Sequence, residues 1–236
     1  MRLEKIDLLR GISVIGMIFF HANYMLESIW KRDIIPLPDR FWDILGFTVA
    51  LMFIFLSGFV SFLAWERKSR YEIFSQSSMR FLELFFVALG ISYITFTFFP
   101  SQKISWGIIH FFALSALIFP LFHLTRKYNI ILWIFVILIG YTITDIRVDT
   151  DMLIPLWLIP VWYFSADYYP LFPWFGWSLI WAGCAYSLKR RDLLSFLHSG
   201  WGQAVVPIRY MWRHALLFYV IHVPVLFLVS YFLFYF

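Results

Sequence analysis

The sequence predicts an all-α integral membrane protein, a bundle of about seven transmembrane helices. Two observations lead there. Hydrophobic residues make up 62% of the 236 positions and charged residues only 14%, too few polar groups to cover a soluble globule. The apolar residues also fall in long continuous runs without strand-like alternation, so helices satisfy the backbone inside lipid. The 29 Phe, 13 Tyr and 12 Trp suit lipid-facing helices with aromatic belts.

The spans fall near 8–28, 42–65, 80–99, 105–125, 129–146, 170–188 and 213–235, each long enough for a hydrocarbon core that needs about 17–25 residues. The first run is too long for a cleavable signal and has no small-residue cleavage site. The segment 147–169 breaks the pattern. It opens with Arg147, Asp149 and Asp151, and Pro155 and Pro160 interrupt its apolar part. This predicts a short re-entrant or interfacial piece near 152–165, with an eighth short span as the alternative. With no internal repeat, low-complexity tract or separate soluble region, residues 1–236 read as a single polytopic domain.

Basic residues set the orientation. Arg2, Lys5, Arg10, Arg67, Lys68, Arg70, Arg80, Arg126, Lys127, Lys189, Arg190, Arg191, Arg209 and Arg213 share one side of a seven-span chain. Lys31, Arg32, Arg40, Lys103 and Arg147 share the other. The positive-inside rule then places the N-terminus in the cytoplasm and the C-terminus outside, in a multi-pass protein of the cell membrane. An eighth span would carry the last basic loop outward, against this asymmetry. The same rule explains the net charge of +5 without a nucleic-acid partner.

Titratable groups inside the spans are the candidates for chemistry, because they are costly in hydrocarbon. Arg10 and His21 lie in one apolar run, 11 positions apart. At helical geometry they face within about 20° of each other and stand about 16 Å apart along the axis. One face thus carries a cation near one membrane surface and an acid–base group deep inside. Asp7, three residues before Arg10, is on the same face and could neutralise it. His110 near the outer end of span 4 and Asp167 before span 6 fall at a depth similar to His21. His222 lies in the middle of span 7. His123, His198 and His214 lie near the cytoplasmic boundary. Gly58 in span 2 suggests close helix packing. Asp167 to Trp174 joins a carboxylate, two prolines and aromatics at the outer interface, either as an aromatic belt with a helix start or as a contact for a polar acceptor.

Several chemistries lack their residues. His110 and His123 face nearly opposite ways, unlike the paired ligands of stacked haems. No zinc motif, carboxylate cluster or phosphate-cradling glycine loop is present, so no metal or haem is expected. The lone cysteine, Cys184, excludes an internal disulfide. A small-molecule or proton-coupled transporter would also hold titratable groups at mid-membrane. The absence of a repeat and of a clearly broken helix pair argues against it.

Ile6-Asp7-Leu8-Leu9-Arg10-Gly11, followed after ten residues by His21, resembles the opening signature of integral-membrane acyltransferases. Leu56-Ser57-Gly58-Phe59, Arg80 opening span 3 and Gly107-Ile-Ile-His110 are similar to the group related to heparan-α-glucosaminide N-acetyltransferase. Asp167 to Trp174 and Tyr219-Val-Ile-His222-Val-Pro224 continue the likeness. The resemblance implies transfer of an acyl group, acetyl above all, from cytosolic acyl-CoA to a sugar or amino sugar at the outer half of the membrane. It implies Arg10 and Arg80 at the cofactor, His21 and His110 as catalytic residues, and Asp167, Trp174 and His222 at the acceptor. Partners are then the lipid bilayer, acyl-CoA and a polar acceptor such as a glycan, with a homo-oligomer left open. One departure matters. The heparan enzyme carries asparagine where His21 stands and its key histidine in the following external loop, whereas Ala22 to Trp42 holds none. The reaction class transfers; the acceptor does not.

Overall fold

The computed structural model describes residues 4–66, 68–191, 193, 210–211 and 214–235. Arg2, Arg67, His198, Arg209 and Arg213 of the sequence reading lie outside the described residues. Among the described residues the chain forms seven α-helices: α1 Glu4–Ser28, α2 Asp39–Trp65, α3 Arg70–Phe98, α4 Ile108–His123, α5 Asn129–Ile143, α6 Leu171–Arg190 and α7 Ala215–Tyr235. No strand forms among these residues, and the fold is an all-α membrane bundle. Among the described residues five apolar stretches are long enough to cross a membrane: most of α1, the helices α2, α3 and α7, and Arg126–Ile143 containing α5.

The third helix departs from its expected span. It begins at Arg70 rather than near 80. Ser69 supplies the reason: its side chain accepts from the Glu72 N–H at 3.3 Å, and the Glu72 carboxylate accepts from the Ser69 N–H at 2.8 Å. This capping box starts the helix one polar stretch ahead of its apolar part. α6 packs among protein neighbours. Phe175, Ser178, Leu179, Ala182 and Ala185 are buried, and Gly176 and Gly183 lie against Trp133, Ile137 and Ile130 of α5.

The chain divides into two compact units. The first holds residues 1–53 and 192–236, the second 54–191. In the first, Val14, Met17 and Val49 form a core flanked by Leu45, Phe53, Phe218 and Tyr219. Trp30 closes one end: its indole N–H donates to Ser230 Oγ at 2.8 Å, and its ring meets Phe227, Tyr231, Phe234 and Tyr235.

In the second unit α5 packs on α6 and α3 on α4. Gly58 of α2 is required by a close approach: a Cβ there would stand 2.1 Å from the Ser178 carbonyl oxygen of α6. The sequence expected close packing at this glycine, and the backbones meet there. The stretch 144–170 has no long helix. It holds a 3-10 turn at Asp151–Leu156 and two isolated bridges, Arg147 with Ile159 and Trp106 with Tyr168. Ser165 joins it to the α3–α4 connection, its hydroxyl accepting from the Ser105 N–H at 3.0 Å and donating to Asp167 O at 2.6 Å.

Candidate active site

In the first unit α1 runs unbroken through Arg10 and His21, so the common face read from the sequence is kept. A histidine in a helix can donate its Nδ1–H to the carbonyl one turn back, and His21 does so, to Met17 O at 2.9 Å. A carbonyl only accepts, so the proton sits on Nδ1 and the lone pair on Nε2. The ring of His21 meets that of His222 from α7 edge to face, with centroids 4.7 Å apart. His222 is in the same tautomer, its Nδ1–H shared between Tyr219 O at 2.7 Å and Phe218 O at 3.1 Å. Its Nε2 is buried and has no hydrogen-bond partner among the described residues. Arg10, eleven residues earlier on α1, is half-buried, and the nearby Asp7 is buried.

In the second unit His110 and Asp167 meet at the start of α4. Asp167 Oδ2 accepts from the Ile108 N–H at 2.8 Å, supplying the cap that Gly107 at the helix start cannot. Gly107 is what admits it, since a Cβ there would stand 2.3 Å from that same oxygen. Burial pushes the Asp167 carboxyl up to about 6, partly offset by the Ile108 N–H. His110 is in the opposite tautomer to His21. Its Nδ1 accepts from the Gly107 N–H at 3.1 Å, and its Nε2–H donates to Ser92 Oγ at 3.2 Å, which donates in turn to Ile104 O at 2.8 Å. Both ring nitrogens are therefore engaged. Trp106 lies over this ring at 5.3 Å and donates its indole N–H to Tyr169 O. Trp174 packs on the ring of Tyr169, 4.9 Å between centroids.

The structure thus groups His21 with His222 and His110 with Asp167, one pair in each unit. Arg80 does not open its helix; it lies ten residues inside α3, exposed and paired with Glu83 at 2.6 Å. Sequence reasoning missed Ser92, 18 residues from its histidine, and the cap role of Asp167, 59 residues from Ile108. No local pattern signals either contact. The Gly107–His110 bond was within reach, because a side chain at the third helical position often bonds back to the residue that starts the helix. Among the described residues no three His, Cys, Asp or Glu side chains gather as a metal site would require.

A multi-pass helical membrane protein with histidines set inside its bundle is the class that this fold and site define. The family of the heparan-alpha-glucosaminide N-acetyltransferase catalytic region matches residues 2–224, and the chain belongs to that family of membrane acetyltransferases. No curated protein and no solved structure matches it.

Proposed function

We propose that the protein transfers an acetyl group from cytosolic acetyl-CoA to a sugar or amino sugar at the outer half of the cell membrane, with its N-terminus inside and its C-terminus outside. The observation that carries this reading is the tautomer of His21. With Nδ1–H given to Met17 O, Nε2 holds a free-base lone pair on the face it shares with Arg10. In the reaction, Nε2 takes the proton of the acceptor amine or hydroxyl as that group attacks the thioester carbonyl. The new bond to the acetyl carbon forms, the C–S bond breaks, and the proton passes from His21 to the departing CoA sulfur.

Arg10 meets the nucleotide end about 16 Å below, the helix rise over eleven residues. Charge-assisted bonds from a guanidinium to phosphate oxygens suit that role. Arg80, paired with Glu83 on α3, is a second cation assigned to the cofactor. His110 holds the start of α4, since both of its nitrogens are occupied; it serves as a base only by giving up the Gly107 bond. Asp167, on the loop that carries Ser165, Tyr168 and Tyr169, and Trp174, in the first turn of α6, are assigned to the acceptor.

The test is release of CoA thiol by the purified chain given acetyl-CoA and glucosamine. His21→Ala should lower turnover about 10²–10⁴-fold, the usual contribution of a positioned base. Near-normal turnover in a folded His21→Ala protein would remove His21 from the chemistry.

A further inference from the structure

Near its C-terminal end α1 carries a polar pair that acetyl transfer leaves unused. Asn23 donates its Nδ2–H to Glu27 Oε1, one turn further on, at 2.7 Å. A carboxylate only accepts, so the amide is fixed in this orientation and its Oδ1 is left as an acceptor. That oxygen is buried and has no partner among the described residues, and Asn23 as a whole is 2% exposed. Glu27 is half-buried, and no cation pairs with it among the described residues. Oδ1 is the other end of the same amide, so it stands within about 5 Å of the Glu27 oxygen. An ammonium nitrogen donating at about 2.9 Å to each oxygen spans that gap.

The pair faces α2 within the first unit. Gly16 and Asn23 of α1 point within about 20° of each other at helical geometry, and Gly16 lies against Val49 of α2. Phe19, one turn before Asn23, meets the ring of Trp42 from α2 at 5.0 Å. The indole N–H of Trp42 is a second buried group without a partner among the described residues, and it can only donate. Beside this seam Ile12, Ile15 and Phe19 of α1 and Phe41 of α2 are exposed, an apolar edge that runs along α1 toward Asn23. Asn23 points about 160° away from His21, so the seam is separate from the proposed base.

We infer that this α1–α2 seam binds a phospholipid of the ethanolamine class, its primary ammonium held by Asn23 Oδ1 and Glu27, its phosphate by the Trp42 N–H and an acyl chain by the apolar edge. Charge and hydrogen count select the headgroup. An anionic headgroup without a cation is repelled by the Glu27 carboxylate. A quaternary ammonium has the charge but no N–H to give to Oδ1. A primary ammonium has both, and each buried polar atom without a partner calls for one. The exposed edge selects a lipid over a soluble amine, because a soluble amine leaves it bare.

Native mass spectrometry of the full-length chain in detergent tests the assignment, with phosphatidylethanolamine, phosphatidylcholine and phosphatidylglycerol of the same acyl chains titrated separately. The ethanolamine lipid should bind about tenfold more tightly than either of the others, the worth of charge-assisted hydrogen bonds from its ammonium. Glu27→Gln and Asn23→Ala should each erase that preference, and Asn23→Ala decides the matter if Glu27→Gln does not fold. Trp42→Phe should weaken the ethanolamine and choline lipids alike, because both carry the phosphate. Soluble phosphoethanolamine at matching concentration should not displace the lipid. Equal affinity of the wild type for the ethanolamine and choline lipids would overturn the inference, as would a preference that survives in folded Glu27→Gln and Asn23→Ala proteins; the pair would then be a contact within α1 only. Unchanged binding in Trp42→Phe would overturn the phosphate contact, and displacement by phosphoethanolamine would overturn the lipid as occupant.

Discussion

Asp167 sets up an unusual balance, and Asp167→Asn exposes it. The carboxylate accepts one backbone N–H at the start of α4, which favours the charged form. Burial opposes it and wins, raising the carboxyl from 3.8 to about 6. A folded value above the unfolded one means that the folded chain binds the extra proton. Stability contributed by this group is therefore full below about 4, is lost as pH rises through the window from 3.8 to about 6, and stays lost at neutral pH. A shift of about 2 units corresponds to about 3 kcal/mol at most. The side chain is only half-buried, and water screening reduces that to about 1–2 kcal/mol. Asparagine keeps an oxygen for the Ile108 N–H and removes the charge. In a 236-residue chain this predicts a rise of about 2–8 °C in melting temperature at pH 7.5. It also predicts loss of the stabilisation that the wild type gains on acidification to pH 5. The assay is thermal unfolding in detergent followed by tryptophan fluorescence. A variant that melts lower at pH 7.5 and keeps the wild-type pH slope would refute the argument. It would mean that the charged cap outweighs its burial.

Further outcomes follow from packing and topology. Gly58→Ala forces a Cβ to within 2.1 Å of a backbone oxygen and should destabilise the second unit by about 1–3 kcal/mol or more. Gly90→Ala in α3 meets nothing within 4 Å and should be neutral or stabilise by up to about 1 kcal/mol; similar melting of the two variants would contradict the packing described at Gly58. In a Cys184→Ala background, an impermeant thiol reagent applied outside cells should label a cysteine at Ser101 and spare one at Arg70. The reverse pattern would invert the proposed sidedness.

Much of the helical architecture was legible because lipid imposes one requirement on every span, an apolar run of fixed length. The limits of that signal are instructive. It placed the start of α3 near Arg80, because hydropathy ignores polar helix and the helix begins with one. The Ser69–Glu72 capping box was in the sequence and marks the true start. It placed α6 where the helix Leu171–Arg190 lies but gave no sign that the Gly, Ser and Ala of that helix serve its packing on α5 and α2. For the site, periodicity put Arg10 and His21 on one face of α1, and the unbroken helix keeps them there. Periodicity says nothing about partners on other helices. The contact of His21 with His222 joins residues 201 positions apart, and the opposite tautomers of His21 and His110 depend on which backbone group each ring meets. Those are tertiary facts, set by how helices pack rather than by the residues in any one of them.

The most direct test of the central claim separates the two ends of α1 in one experiment. Acetyl-CoA affinity and the single-turnover rate of thiol release are measured on the same folded samples of Arg10→Ala and His21→Ala. The account predicts opposite phenotypes. Arg10→Ala should weaken binding about ten- to a hundredfold, the worth of charge-assisted hydrogen bonds of about 1.5–3 kcal/mol, with the rate from bound complex largely kept. His21→Ala should bind acetyl-CoA nearly as the wild type does and turn it over about 10²–10⁴-fold more slowly. Matching losses of binding and rate in both variants, or acetyl transfer undiminished in His21→Ala, would contradict it.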